Sequence, residues 1–317
     1  MLAYIVGLLA CVFIFPNLFS QFLLGSTRSG SDRGSAAPQI RRRPRPHIDE
    51  SLLALDDWRG NLTCPRDDDA YRVHLFSKEP LVIYIEGFLS TTEREHLLEI
   101  SEPAFEPATI THDGGAVTKH EQTIRDSEVA VVPRTETVRC IEARARAFQG
   151  WREEQWIERL RTQRYQRGGH YNHHFDWSSS YGGWGRVSSF MVWVDGSADA
   201  PNSPLKGGGT EFPLLKRMSL DERWCRFIEC PSNSTTATNS GSHEGTKITR
   251  VNAEESETMN TTSEATVFKP LAGNAVYWEN FRPDGTGRGW DEAWHAGLPV
   301  VEGTKIGLNI WTWGRID

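Results

Sequence analysis

Six short segments follow one another through the second half of the chain: SSFMVWV, GGTEFPLL, ATVFKP, NAVYWEN, GLPV and TKIGLNIWTWG. Each is rich in β-branched or aromatic residues and is bounded by turn-forming residues, so each reads as a strand. Short strands repeated between turns predict a barrel or a sandwich. Upstream, LVIYIEGFLS reads as the strand that opens the domain. STTEREHLLEI reads as a helix that Ser90 or Thr91 can cap, with acids in the first turn and Leu97, Leu98 and Ile100 as apolar positions. TETVRCIEARARAFQG and REEQWIERLRTQRY predict further helix, the second running into a strand. The expected fold class is mainly β with flanking helices (α+β).

The flanks differ in character. Residues 1–27 contain no charged side chain, and an apolar run of about 20 residues is long enough to span a bilayer. The run exceeds a usual signal-peptide core and lacks a basic leader, which favours an uncleaved signal anchor over a cleaved signal peptide. Residues 28–80 are rich in Ser, Gly, Pro and Arg and read as a flexible polar stem. The remaining residues, 81–317, form the expected domain. It is interrupted by a low-complexity insertion at about 216–265 that includes PSNSTTATNSGSHEGTK and reads as a solvent loop, or as a flap over a substrate.

Orientation signals compete. Arg28, Arg33 and RRRPRP would hold the basic flank in the cytosol, whereas sequons at Asn61, Asn233 and Asn260 fit a glycosylated lumenal domain. The expectation is a single-pass protein of the endoplasmic reticulum membrane with its domain in the lumen. Residence in the secretory-pathway lumen, or secretion after cleavage, is the alternative. Of five cysteines, Cys11 lies in the apolar run. Cys64, Cys140, Cys225 and Cys230 form an even set that allows two disulfides, and WCRFIEC can close a short loop. The absence of a C-x-x-C pair argues against a cysteine zinc site. The net charge of −7 argues against nucleic acid as a partner.

HYNHHFDW concentrates three histidines and an aspartate. On a strand, residues i and i+2 share a face, so His174 and Asp176 would project together, Phe175 would face the core and His173 would point the other way. His295, just before an apolar strand, is a candidate third ligand. Two histidines and a carboxylate leave up to three positions open on an octahedral metal, as in non-haem Fe(II) oxygenases. Zinc with an activated water is the competing chemistry. On KIGLNIWTW, residues Lys305, Gly307, Asn309, Trp311 and Trp313 share one face, and an inward lysine among tryptophans requires an anionic partner. A dicarboxylate co-substrate supplies one; zinc hydrolysis does not explain it.

RYQRGGHYNHHFD, GGGTEFP, PLAGNAVYWEN and HAGLPVVEGTKIGLNIWTW, in that order, resemble the prolyl 4-hydroxylase branch of the 2-oxoglutarate and Fe(II)-dependent dioxygenases. The resemblance implies a double-stranded β-helix (jelly-roll) core. It implies that His174, Asp176 and His295 bind Fe(II) and that Lys305 pairs with the distal carboxylate of 2-oxoglutarate. Tyr165 would hydrogen-bond that co-substrate, and Thr210 would add a hydroxyl contact. Trp311 would be an aromatic near the iron, and Arg186 would line the peptide groove. His170 and His173 match no role and read as surface residues or as supports of the ligands. Ascorbate would rescue enzyme oxidised in uncoupled turnover.

The implied reaction couples oxidative decarboxylation of 2-oxoglutarate by O2, which yields succinate and CO2, to hydroxylation of proline in a peptide or protein. Alternatives are hydroxylation of lysine, another side chain or a small molecule, and a non-catalytic peptide- or glycan-binding barrel. The insertion after GGTEFP departs from the family pattern near the barrel mouth, and a separate peptide-substrate-binding domain is not expected in this sequence.

Overall fold

The computed structural model describes residues 49–55, 60–65, 71–112, 117–119, 121–179, 183–196, 204–216, 221–230 and 265–316. All of these fall in one compact unit, Arg43–Asp317. The apolar segment 1–27, most of the insertion and the sequons at Asn233 and Asn260 lie outside the described residues. Among the described residues no helix is long and apolar enough to cross a membrane.

The chain begins with a hairpin, β1 (Arg72–Lys78) and β2 (Leu81–Glu86), followed by helix α1 (Thr91–Ser101). Short strands β3 (Glu106–Pro107), β4 (Ile110–His112), β5 (Val117–Lys119), β6 (Arg125–Asp126) and β7 (Glu128–Val131) lead to helix α2 (Glu136–Phe148). Then come β8 (Gln155–Ile157), β9 (Arg161–Tyr165), β10 (His170–His174), β11 (Trp184–Asp195), β12 (Lys206–Gly207) and β13 (Thr210–Phe212). The chain ends with β14 (Thr266–Phe268), β15 (Ala275–Glu279), β16 (His295–Gly297), β17 (Val300–Glu302) and β18 (Lys305–Arg315).

The main sheet runs β1-β2-β15-β11-β18-β9-β7-β3, with β8 also on β18, and a second sheet runs β14-β13-β16-β10-β6. Non-consecutive neighbours in both sheets produce the mostly β, jelly-roll type of core. Five of the six predicted strand segments contain strands, whereas GLPV is the turn that links β16 to β17, with only Gly297 and Val300 in strand.

The central strands are apolar at nearly every position because the main sheet is covered on both faces, and side chains alternate between them. On β11, Phe190, Val192 and Val194 enter a core shared with Leu97 of α1 and Val138, Ile141 and Ala145 of α2. Met191 and Trp193 enter a second core with Tyr84, Phe212, Phe268 and Trp278. Burial of such a side chain contributes roughly 1.5–3 kcal/mol of transfer free energy, so a one-residue slip of β11 would be strongly disfavoured. On β18, Ile306, Leu308 and Ile310 face the helices, which sends Lys305, Gly307, Asn309 and Trp311 to the other side.

The helices start as their caps dictate. Ser90 Oγ accepts from Glu93 N at 3.2 Å, and the Glu93 carboxylate accepts from Ser90 N at 2.9 Å, a complete capping box. Thr135 caps α2. The Arg144 guanidinium of α2 then pairs with Glu93 at 2.7 Å and ties the two helices together.

Three expectations need correction. REEQWIERLRTQRY contains no helix; it forms β8 and β9, because Trp156 and Trp313 pair across the β8–β18 ladder and tertiary packing overrides local helix propensity. The stem drawn to residue 80 includes the ordered hairpin strand β1 and the Cys64–Cys140 disulfide. The insertion drawn from 216 contains a packed segment at 221–230, in which Phe227 and Ile228 are buried in the second core and Cys225 is joined to Cys230.

Candidate active site

Register in the smaller sheet brings the two candidate histidines together. Strands β10 and β16 run antiparallel with His174 directly opposite His295. His174 is the last residue of β10, and Asp176 opens a short 3-10 turn, Asp176–Ser179. The expected strand alternation across H-x-D therefore stops at His174, and the turn delivers the aspartate. Phe175 does not face the core; it is half-buried between Trp177 and Trp294, at centroid distances of 4.4 and 4.5 Å. His173 points away from the cluster and lies 2.8 Å from Glu211. His170 sits beside the carbonyls of Gly168 and Thr123, outside the cluster.

His174, Asp176 and His295 each present one ligand atom, and these atoms lie within 4.8 Å of one another. His174 Nε2 is 3.7 Å from Asp176 Oδ1, and His295 Nε2 is 4.0 Å from Oδ2. Nδ1 of His174 meets the Asn172 carbonyl at 2.8 Å, and Nδ1 of His295 meets the Ala293 carbonyl at 2.9 Å. A carbonyl only accepts, so Nδ1 carries the hydrogen in both rings and each Nε2 lone pair faces the cluster. Burial, together with the adjacent His295, holds His174 down to about 3, keeping it in the neutral form that a metal requires.

The aspartate is held as firmly. Burial opposes its ionisation, yet His295, His174, Arg186 and the Ser189 hydroxyl together keep its carboxyl below the ordinary range. Its Oδ2 accepts from Ser189 Oγ at 2.7 Å and from Trp311 Nε1 at 2.9 Å, which frees Oδ1 for a ligand. Asn280 Nδ2 donates to Ser189 Oγ at 3.0 Å and fixes the hydroxyl that supports the carboxylate. Two neutral imidazoles and one oriented carboxylate fit a divalent metal with open positions.

A second polar feature lies on the main sheet. Lys305 is directly opposite Tyr165 in the β9–β18 ladder. It is 2 % exposed. Its Nζ donates to the Gly208 carbonyl at 2.6 Å and stands 5.3 Å from the Tyr165 ring centroid. It forms no ion pair among the described residues, and burial pushes its ammonium down to about 7. Gly208 has φ +70°, and a Cβ there would lie 3.2 Å from Lys305 Cδ, so glycine is what leaves the lysine its space. Two residues on, the Thr210 hydroxyl is buried with no partner. An uncompensated cation and an orphaned hydroxyl are each costly in a protein interior; the carboxylate of a dicarboxylate ligand fits both. Tyr165 OH, expected on the same ligand, donates to Gln163 Oε1 at 2.7 Å.

Trp311 lies beside the cluster as a donor to Asp176, and Arg186 lies behind that ring. The Arg186 guanidinium lies 3.7 Å over the Trp311 ring and is clamped by Glu158 at 2.7 and 2.9 Å. It acts on Asp176 as a nearby positive charge and packs on the tryptophan that bonds the aspartate. Ser189, Asn280 and Tyr171 were not singled out from the sequence. Ser189 had a signal: it shares the face of Met191 and Trp193 on β11, so a hydroxyl pointed inward among large apolar residues. Tyr171, stacked 3.7 Å from His174, had none, because it lies three residues from its partner on a strand that bulges.

Residues 160–313, which include His174, Asp176, His295, Lys305 and Trp311, match the family described as the 2OG-Fe(II) oxygenase superfamily. The chain is 23% identical over 248 residues to a protein described as probable prolyl 4-hydroxylase 7 of Arabidopsis thaliana, an alignment covering 77% of this chain. The chain spans 66% of that relative's length. Among solved structures it is similar to a viral collagen prolyl hydroxylase of Paramecium bursaria Chlorella virus-1, at 21% identity and a TM-score of 0.46, covering 74% of this chain and 96% of that one. It is also similar to a Pseudomonas putida prolyl-4-hydroxylase, at 14% identity and a TM-score of 0.43, covering 74% of this chain and 92% of that one.

Proposed function

From the 2OG-Fe(II) oxygenase domain that this chain carries over residues 160–313, we propose a dioxygenase that hydroxylates prolyl residues in a peptide or protein, releasing succinate and CO2. The carrying observation is the convergence of His174, Asp176 and His295 within 4.8 Å in a barrel that also buries Lys305, which has no ion-pair partner among the described residues. In this reading His174 Nε2, Asp176 Oδ1 and His295 Nε2 hold Fe(II). The metal supplies the oxygen chemistry when bound.

The chain's own groups do the positioning. Lys305, backed by Tyr165, would anchor the distal carboxylate of 2-oxoglutarate, and the buried Thr210 hydroxyl would add a contact to that co-substrate. Ser189 and Trp311 hold the Asp176 carboxylate in one orientation while Oδ1 coordinates. The aromatic wall of Phe212 and Trp278, whose ring centroids are 5.4 and 4.9 Å from His295, excludes water from the buried side. Ascorbate acts as the rescuing reductant after turnover without substrate.

The resemblance to the Arabidopsis relative supports proline over lysine. The two disulfides, Cys64–Cys140 and Cys225–Cys230, support an oxidising lumen. The exposed Asn61 supports a glycan acceptor there. In that placement residues 1–27 anchor the chain in the endoplasmic reticulum membrane.

The test is mass spectrometry of proline-rich and collagen-like peptides incubated with the chain, Fe(II) and 2-oxoglutarate. A gain of one oxygen on proline is expected. Oxygen found only on another side chain would reassign the substrate, and no succinate release at all would refute the dioxygenase reading.

A further inference from the structure

Beside the metal cluster, on the Trp311 side, lies a cleft of about 440 Å³ lined by Arg125, Arg161, Gln163, Val131, Trp311 and Glu106, among others. Two of its cations are incompletely satisfied. Arg161 Nε and Arg125 Nη2 are both buried without a hydrogen-bond partner. The Arg161 guanidinium makes no hydrogen bond or ion pair among the described residues, whereas Arg125 Nε donates to Ser127 at 3.0 Å.

Each cation reaches the metal ligands through one aromatic ring. Arg125 lies 4.6 Å from the Tyr171 ring, which stacks on His174. Arg161 lies 5.8 Å from the Trp311 ring, which bonds Asp176. Burial depresses the Arg161 pKa; Glu158 offsets this in part, and Arg186 and Arg125 add to the depression, so three guanidiniums share one field. The carboxylate among them, Glu158, is already clamped on Arg186 by two hydrogen bonds. Glu106, on the cleft wall, is exposed to solvent. The cleft thus has excess positive charge and unspent donors one ring's width from the reacting centre.

We propose that this cleft is a substrate-side subsite that selects a carboxylate on the peptide, an acidic residue next to the residue that is hydroxylated. The proposal rests on the dioxygenase reading above and adds the substrate's charge. Arg161 and Arg125 are its specificity-determining residues: a planar guanidinium with free N–H groups matches a carboxylate in a two-point geometry. The co-substrate does not fill this role, because its distal carboxylate is assigned to Lys305 on the β9–β18 ladder.

Fluorescence anisotropy of the full chain with two labelled peptides, identical except for Glu or Gln immediately after a central proline, tests the subsite without relying on turnover. The Glu peptide should bind about tenfold or more tightly, and the difference should shrink with added salt. Arg161→Glu should abolish that preference and transfer it to a peptide with Lys at the same place, which a merely structural role would not do. If Arg161→Glu does not fold, the wild-type pair alone decides. Equal affinities, or no binding of the Glu peptide, overturn the proposal. Absence of succinate release from the wild-type chain would instead strike the dioxygenase reading and leave the affinity comparison intact.

Discussion

Lys305 and Tyr165 face each other across the β9–β18 ladder, the ammonium 5.3 Å from the phenol ring centre and hydrogen-bonded, among the described residues, to the Gly208 carbonyl alone. A lysine this buried, with no carboxylate partner among the described residues, suits an anionic ligand. The following predictions start from it.

Lys305→Met should raise the KM for 2-oxoglutarate by roughly 150-fold, since truncating one partner of a buried charge pair costs about 3 kcal/mol. The Fe(II) requirement should stay nearly constant, because the lysine is not a ligand. Steady-state titrations of each component check the split. A KM within a factor of about two of wild type removes Lys305 from the co-substrate site.

Burial pushes the Lys305 ammonium from 10.5 down to about 7. Between those values the unfolded chain binds more protons than the folded one, so stability of the ligand-free protein rises with pH across that window. Below about pH 7 both states are protonated and the unfavourable contribution is fully present. Affinity for 2-oxoglutarate runs the other way, falling as pH rises above about 7, because the anion requires the charged lysine. Melting temperature and calorimetric affinity measured on the same samples should move in opposite directions, and both trends should vanish in Lys305→Met.

Ser189→Ala and Trp311→Phe each delete one donor to Asp176 Oδ2. Each should weaken Fe(II) binding about tenfold, the usual scale for a group that orients a ligand. A metal titration checks this; an unchanged affinity in both variants would mean that Asp176 is oriented by the fold alone.

The Cys64–Cys140 bridge closes a separation of 76 residues. Cys140→Ser should destabilise the chain by about 3 kcal/mol, read by denaturant unfolding. Cys225 and Cys230 should resist alkylation until a reductant is added; free thiols in the native protein would contradict the short loop closure.

The chemistry was more legible in the sequence than the architecture. The ligand set and Lys305 stood out because each is a charged or metal-binding residue beside an apolar strand, where burial demands a reason. The strands of the second half were legible because a sheet covered on both faces produces long apolar runs such as SSFMVWV. What the sequence concealed was set by distant partners. REEQWIERLRTQRY has helix-forming residues, yet Trp156 is claimed by Trp313 across a strand ladder. Strand β1 was hidden because its apolar Val73 and Leu75 are exposed on an edge strand whose register shifts after Leu75. Ser189 matters through the Asp176 carboxylate it bonds, and Asn280, far along the chain just after β15, matters through Ser189.

The most direct test of the central claim is an anaerobic Fe(II) titration of the wild-type chain beside His295→Ala. The account predicts one Fe(II) per wild-type chain and loss of that site in the variant, since two remaining ligands cannot hold the metal at comparable strength. No binding by the wild type, or wild-type affinity in His295→Ala, would contradict it.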